Sequence, residues 1–169
     1  MRYLYWDSNC FIGYLKGEEH GKEARLGVMQ AVERGEAKIV TSAFTLVEVV
    51  KLKVREEDGP YFKTVGSESR QALEDCFSPK NGIIIVNVDV QTARRARQAV
   101  WDYGIDPKDA MHVGSAMQFA DIGLDDGDTL TFQTFDKKLI AHANDIPGLD
   151  AAEPSTIEFP YQMALSHVN

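Results

Sequence analysis

The sequence predicts a three-layer α/β/α domain with a central, mostly parallel sheet. Three observations carry that expectation. Short apolar segments that suit buried strands alternate with stretches whose apolar residues return at helical spacing. A chain of 169 residues suits one domain with a sizeable core. Hydrophobic residues make up 44% and charged residues 26%, with no low-complexity run, which argues for a folded chain over a disordered one. Strands separated by helices imply parallel pairing through right-handed crossovers.

Residues 2–6, RYLYW, read as a short buried strand. Residues 9–16 suit a short helix ended by Gly17. Residues 19–34 suit a longer one, with Ala24, Val28, Ala31 and Val32 near 3.6-residue spacing and Gly35 as its stop. AKIVTS, at 37–42, is a second strand. Ser42 is placed to cap AFTLVEVVKLKV, where Phe44, Val47, Val50 and Val54 repeat at helical intervals, although the valines also suit a strand. Residues 56–69 read as a loop or insertion, and 69–77 as a helix before the turn SPKNG. IIIVNV, at 83–88, is the clearest strand. Asp89 can cap VQTARRARQAVWDYG, which Gly104 ends. A loop leads into the helix of IDPKDAMHVGSAMQFADIG; TLTFQT, at 129–134, is a strand, and 136–144 a short helix. The extension at 146–169 carries Pro147, Pro154 and Pro160, and within it STIEFPY suits an added edge strand.

The net charge of −8 argues against a surface coated in positive charge for gripping nucleic acid. It leaves room for a nucleic-acid enzyme whose acids hold divalent cations that meet the phosphate. Cys10 and Cys76 make no metal-type spacing, and the start of the sequence is a poor signal peptide because Asp7 interrupts its apolar stretch. No run approaches the ~18 apolar residues of a membrane span. The expectation is therefore a cytoplasmic protein, without a membrane partner and with reduced thiols. His20, His112, His142 and His167 share no ligand spacing and read as ordinary.

Four acids sit where elements begin or end. Asp7 closes the first strand, where burying an unpaired carboxylate is costly. It reads equally as a helix cap or as a residue placed for chemistry at a strand's carboxyl end. Glu48 lies beside the apolar stripe of its helix, between a solvated position and a boundary one. In IDPKDA, Asp106 is a natural N-cap, Pro107 suits the first helical position and Asp109 the third, so capping alone accounts for the pair. The small residues Ala110, Gly114 and Ala120 behind them would let this helix approach the sheet closely. Asp136 lies two residues past the strand end at Thr134 and also suits a cap. Asp7 and Asp136 meet at the ligand crevice if their strands are neighbours. Gathered together, four carboxylates repel unless cations intervene, and oxygen-only donors suit Mg²⁺ or Mn²⁺ over zinc.

Taken in order, YWDSN, TSAFTLVEVV, IDPKDAMHVGSAM and FQTFDKKL resemble the four motifs of PIN-domain proteins, especially the toxin ribonucleases of bacterial and archaeal toxin–antitoxin pairs. The resemblance spans residues 3–139 of a single PIN-like domain. Gly114 stands where alanine is more usual, and 56–69 is longer than in compact members. The resemblance implies an endoribonuclease whose metal-binding catalytic acids are Asp7, Glu48, Asp109 and Asp136, with Mg²⁺ or Mn²⁺ as cofactor. Asn9 and Thr134 would hold Asp7 and the last motif's loop in place, with Ser8 as a lesser support or cap. It further implies an RNA substrate, an antitoxin blocking the acidic crevice and a homodimer. Arg94, Arg95 and Arg97, or Lys137 and Lys138, are candidates for RNA contacts, though charge runs more often form solvated helix faces.

Two other readings compete. A haloacid-dehalogenase-like phosphatase also places an aspartate after its first strand, but Asn9 stands where its second aspartate belongs. An inactive PIN scaffold would bind RNA or a protein partner without cutting. No GxGxxG or Walker lysine loop supports a nucleotide-binding reading.

Overall fold

The computed structural model describes residues 1–49 and 67–162. Five parallel strands form its sheet: β1 (Arg2–Trp6), β2 (Lys38–Ser42), β3 (Ile84–Val86), β4 (Thr129–Gln133) and β5 (Asp150–Ala152), in the order β3-β2-β1-β4-β5. Side chains alternate across β1, so Tyr3 and Tyr5 enter one core and Leu4 and Trp6 the other. Both faces are covered, as an all-parallel sheet requires. One layer is built by α1 (Ser8–Lys16), α2 (Lys22–Glu33) and α4 (Ser67–Cys76), and the other by α5 (Val90–Tyr103), α6 (Pro107–Gly123) and α7 (Lys137–Ala143). The short α3 (Ala43–Glu48) leaves the carboxyl end of β2. The expected three-layer architecture is observed.

Capping chemistry sets most boundaries. Asp7 accepts from Cys10 N at the start of α1, Ser42 from Phe44 N at α3, and Asp89 from Gln91 N and Thr92 N at α5, in a closed capping box. Gly17 and Gly104 end their helices in the left-handed region. The helix expected from residue 19 starts only at Lys22, because Gly21 precedes it at φ 70°. The strand expected over 83–88 shrinks to β3. Its register pairs Val86 with Ser42, where β2 turns into α3, so no partner remains for Asn87 and Val88. Of the helix expected over AFTLVEVVKLKV, α3 is the described part; the remainder, and residues 56–66 of the expected insertion, lie outside the described residues. Ser67 to Ser69, expected in that loop, already belong to α4.

Of the small residues on α6, Gly114 serves a neighbour that was not expected. A Cβ there would lie 2.7 Å from the Thr92 carbonyl and 2.9 Å from Ala96 N, so its missing side chain lets α6 approach α5, while Ala110 is buried in one core with Tyr5 and Val40 of the sheet. The edge strand also falls elsewhere. Residues 150–152 pair with β4, matching Thr131 to Asp150 and Phe132 to Ala151, whereas STIEFPY forms turns. Phe159 leaves that stretch to fill the core beneath α2, and Gln162 exchanges two hydrogen bonds with Gln30 of α2. No described helix is long and apolar enough to cross a membrane.

Candidate active site

Strand order turns outward in both directions from β1 and β4, so the topological switch point lies between them. Trp6 and Gln133 are register partners at their carboxyl ends. Asp7 and Asp136 follow on either side of that point, while α6 brings Asp109 in from one layer and α3 brings Glu48 in beside β2.

Asp7 is buried, and both of its oxygens are occupied. Cys10 N donates to Oδ1 at 3.0 Å and Thr134 Oγ1 to Oδ2 at 2.6 Å. Burial nevertheless pushes its carboxyl above the usual range, against the pull of those two bonds. Thr134 serves two acids, because its Oγ1 also accepts from Asp136 N at 3.1 Å. Asp136 caps α7 through Oδ1, which accepts from Lys138 N and Leu139 N. Asp109 is raised by burial and then by Asp106, Asp136 and Asp7. Asp106 supplies the α6 cap by accepting from Lys108 N at 3.0 Å. Asp106, Asp109 and Asp136 line one cavity of about 270 Å³ with Lys138 and His142.

Glu48 is engaged differently. Lys108 Nζ lies 2.5 Å from Oε1, while His112 Nε2 at 2.6 Å and the Ser8 hydroxyl both meet Oε2. Burial alone would raise Glu48, but His112, Lys108 and Ser8 outweigh it and hold the carboxyl down at about 2. A carboxylate only accepts, so Nε2 of His112 carries the proton. The ring's Nδ1 and the Tyr5 hydroxyl share a further hydrogen bond of 3.2 Å. His112 is thus a buried bridge from β1 to α3, where the sequence reads as an ordinary histidine. Its signal was its position three residues after Asp109, which puts both on one face of α6. Lys108 was missed as well. Asn9 is exposed on α1, beside Asp136 in a neighbouring cavity.

The donor set tests the expected metal. Among the described residues, no three acid, histidine or cysteine side chains stand close enough to hold an ion as placed. Asp7 and Asp109 are both pushed upward, Asp109 in part by Asp136 and Asp7, and the three acids offer the hard oxygen donors that Mg²⁺ or Mn²⁺ prefers. Glu48 already has its cation in Lys108.

A chain of the VapBC2 complex of Rickettsia felis, solved with a DNA fragment of its promoter, has a similar fold. Its TM-score is 0.58 at 15% identity, covering 92% of this chain and 100% of that one. A chain of a toxin–antitoxin complex from Klebsiella pneumoniae gives 0.55 at 20% identity, covering 90% and 98%. No curated protein matches the chain significantly. The PIN domain family matches residues 4–144, a span that includes Asp7, Glu48, Asp109 and Asp136, and the chain belongs to that family.

Proposed function

We propose that the protein is a metal-dependent endoribonuclease that hydrolyses RNA phosphodiester bonds and acts as the toxin of a toxin–antitoxin pair. The observation that carries this reading is the placement of Asp7, Asp109 and Asp136 about the switch point of a parallel sheet, where Asp136 and Asp7 raise the Asp109 carboxyl. A divalent cation bound there would polarise the phosphoryl oxygens and lower the pKa of an attacking water. Asp109 and Asp136, which share a cavity wall, would hold it, and Asp7 would complete the charge from behind. Thr134 keeps Asp7 and the Asp136 backbone in one arrangement. Glu48, an anion fixed by Ser8, Lys108 and His112, would orient water or join the ligand set if Lys108 withdrew.

The toxin role, an antitoxin partner and a homodimer draw on the fold shared with the two toxin–antitoxin complexes. A small neighbouring gene for a DNA-binding protein, whose product forms a complex with this chain and silences it, would support that role. The scaffold reading has two observations in its favour: Lys108 already neutralises Glu48, and among the described residues no three ligands converge as placed.

The deciding experiment incubates purified protein with Mn²⁺ and assorted RNAs, with Asp7→Asn and Asp109→Asn as controls. Cleavage by the wild type and its loss in both variants is expected. Unchanged cleavage in both variants would show the site to be misassigned. Calorimetric metal binding without cleavage of any RNA would favour the scaffold.

A further inference from the structure

A second cavity, of about 700 Å³, adjoins the acid cavity, and Asp136 and Lys138 line both. Its other lining residues include Lys16 from the end of α1, Arg25 from α2, His20 and Lys137. In a chain of net charge −8, four lysine and arginine side chains here face only two acids, Glu18 and Asp136.

Arg25 sets this cavity apart from a solvated charge run. It is only 2% exposed, yet among the described residues no carboxylate pairs with it. One terminal nitrogen donates to the Glu18 carbonyl at 2.6 Å, and the guanidinium lies 4.9 Å from the centre of the Phe135 ring. Its Nε–H has no partner. Burying an arginine without a counter-ion is costly, and a planar fork of donors matches a phosphate. The surroundings are shaped to fit it. A Cβ at Gly13 would meet the Arg25 guanidinium at 2.7 Å, and one at Gly21 would meet the Phe135 ring at 2.3 Å.

We propose that this cavity is a phosphate-binding subsite that holds the RNA strand next to the bond being cut. A phosphodiester would take Arg25 and Lys16 on the floor and Lys137 and Lys138 at the rim, with the strand passing over Asp136 into the acid cavity. The inference rests on the nuclease reading for its substrate, and on the buried unpaired arginine for its place. It also gives an acidic protein a local means of holding a polyanion, which its net charge alone would repel.

The test measures binding of a short fluorescein-labelled oligouridine to the full chain in EDTA, across a range of salt concentrations, alongside cleavage with Mn²⁺. Lys137→Ala/Lys138→Ala should weaken binding about tenfold and flatten the slope of log affinity against log salt by about 1.4, roughly 0.7 per lost phosphate contact. Lys16→Ala and Arg25→Gln should each weaken it several-fold, whereas Arg34→Ala, at a residue paired with Glu36 and outside the cavity lining, should leave it unchanged. Circular dichroism checks that Arg25→Gln folds; if it does not, the lysine variants decide. Wild-type affinity and salt slope in the lysine variants would overturn the subsite. So would displacement of the RNA by polyglutamate at equal charge, which would point to an acidic protein partner. The two readings fail separately. A wild type that never cleaves, with binding still lost in the variants, removes the nuclease and keeps the subsite. Normal cleavage with binding untouched in the variants does the reverse.

Discussion

The two halves of the cleft treat their carboxylates in opposite ways. On the α3 side, Glu48 receives Ser8, Lys108 and His112 and is held at about 2. On the β1–β4 side, Asp7 and Asp109 are raised by burial, with Asp109 raised further by its acidic neighbours. One half is finished by the chain itself, whereas the other leaves repulsion in place. Burial and like charge at a sheet's switch point lower stability, and groups raised in this way are candidates for a functional site.

Neutralising the strained half should give the largest split between activity and stability. Asp109→Asn is expected to reduce RNA cleavage by about 100-fold or more, the scale of losing one charge-stabilising group. In a metal-free melt its Tm should match or exceed that of the wild type. Addition of Mn²⁺ should raise the wild-type Tm, by an amount equivalent to about 2.7 kcal/mol at a hundredfold excess over Kd, and leave the variant nearly unmoved. A variant melting well below the wild type would mean that Asp109 makes a structural contribution and that the comparison is wrong.

Breaking the satisfied half should act in the other direction. His112→Ala removes a donor from Glu48 and a partner from the Tyr5 hydroxyl, and should cost about 1–3 kcal/mol in urea unfolding. His112→Gln, able to donate to the carboxylate, should recover part of that loss.

The smallest effect lies in the pH dependence of stability. Glu48 is depressed from an ordinary value of about 4.3. Its share of stability is therefore complete above that value and lost as pH falls through about 2. Asp7 and Asp109, being raised, have the reverse sign: the fold gains stability as pH falls from their raised values toward the ordinary carboxylate range. Urea midpoints across pH should show Glu48→Gln flattening the acid limb and Asp109→Asn flattening the gain above it.

Legibility in the sequence followed the same division. Asp7 and Asp136 stood out because each follows a recognisable apolar strand, and Asp89, Asp106 and Ser42 because caps are local chemistry. The partners of Glu48 come from α1 and α6, far away in sequence, so periodicity gave no hint that Lys108 would neutralise it. The arginines of α5 drew attention as a charge run, but Arg95 pairs with Asp121 and Arg97 lies over Trp101. Arg25, inside an ordinary amphipathic helix, gave no sign of being buried without a counter-ion. β5 escaped because three residues, DAA, carry almost no strand preference and are held only by their register with β4.

The position of β1 bears on how the protein is born. This central strand is synthesised well before β4, whose Gln133 must pair with Trp6 and whose neighbour Thr134 must reach Asp7. A ribosome-bound chain that has not yet made β4 therefore has half a sheet, an open apolar edge on β1 and no assembled cleft. Until then the nascent chain is exposed to edge pairing and in need of shelter. The cleft between β1 and β4 therefore assembles only after more than three-quarters of the described residues have been made.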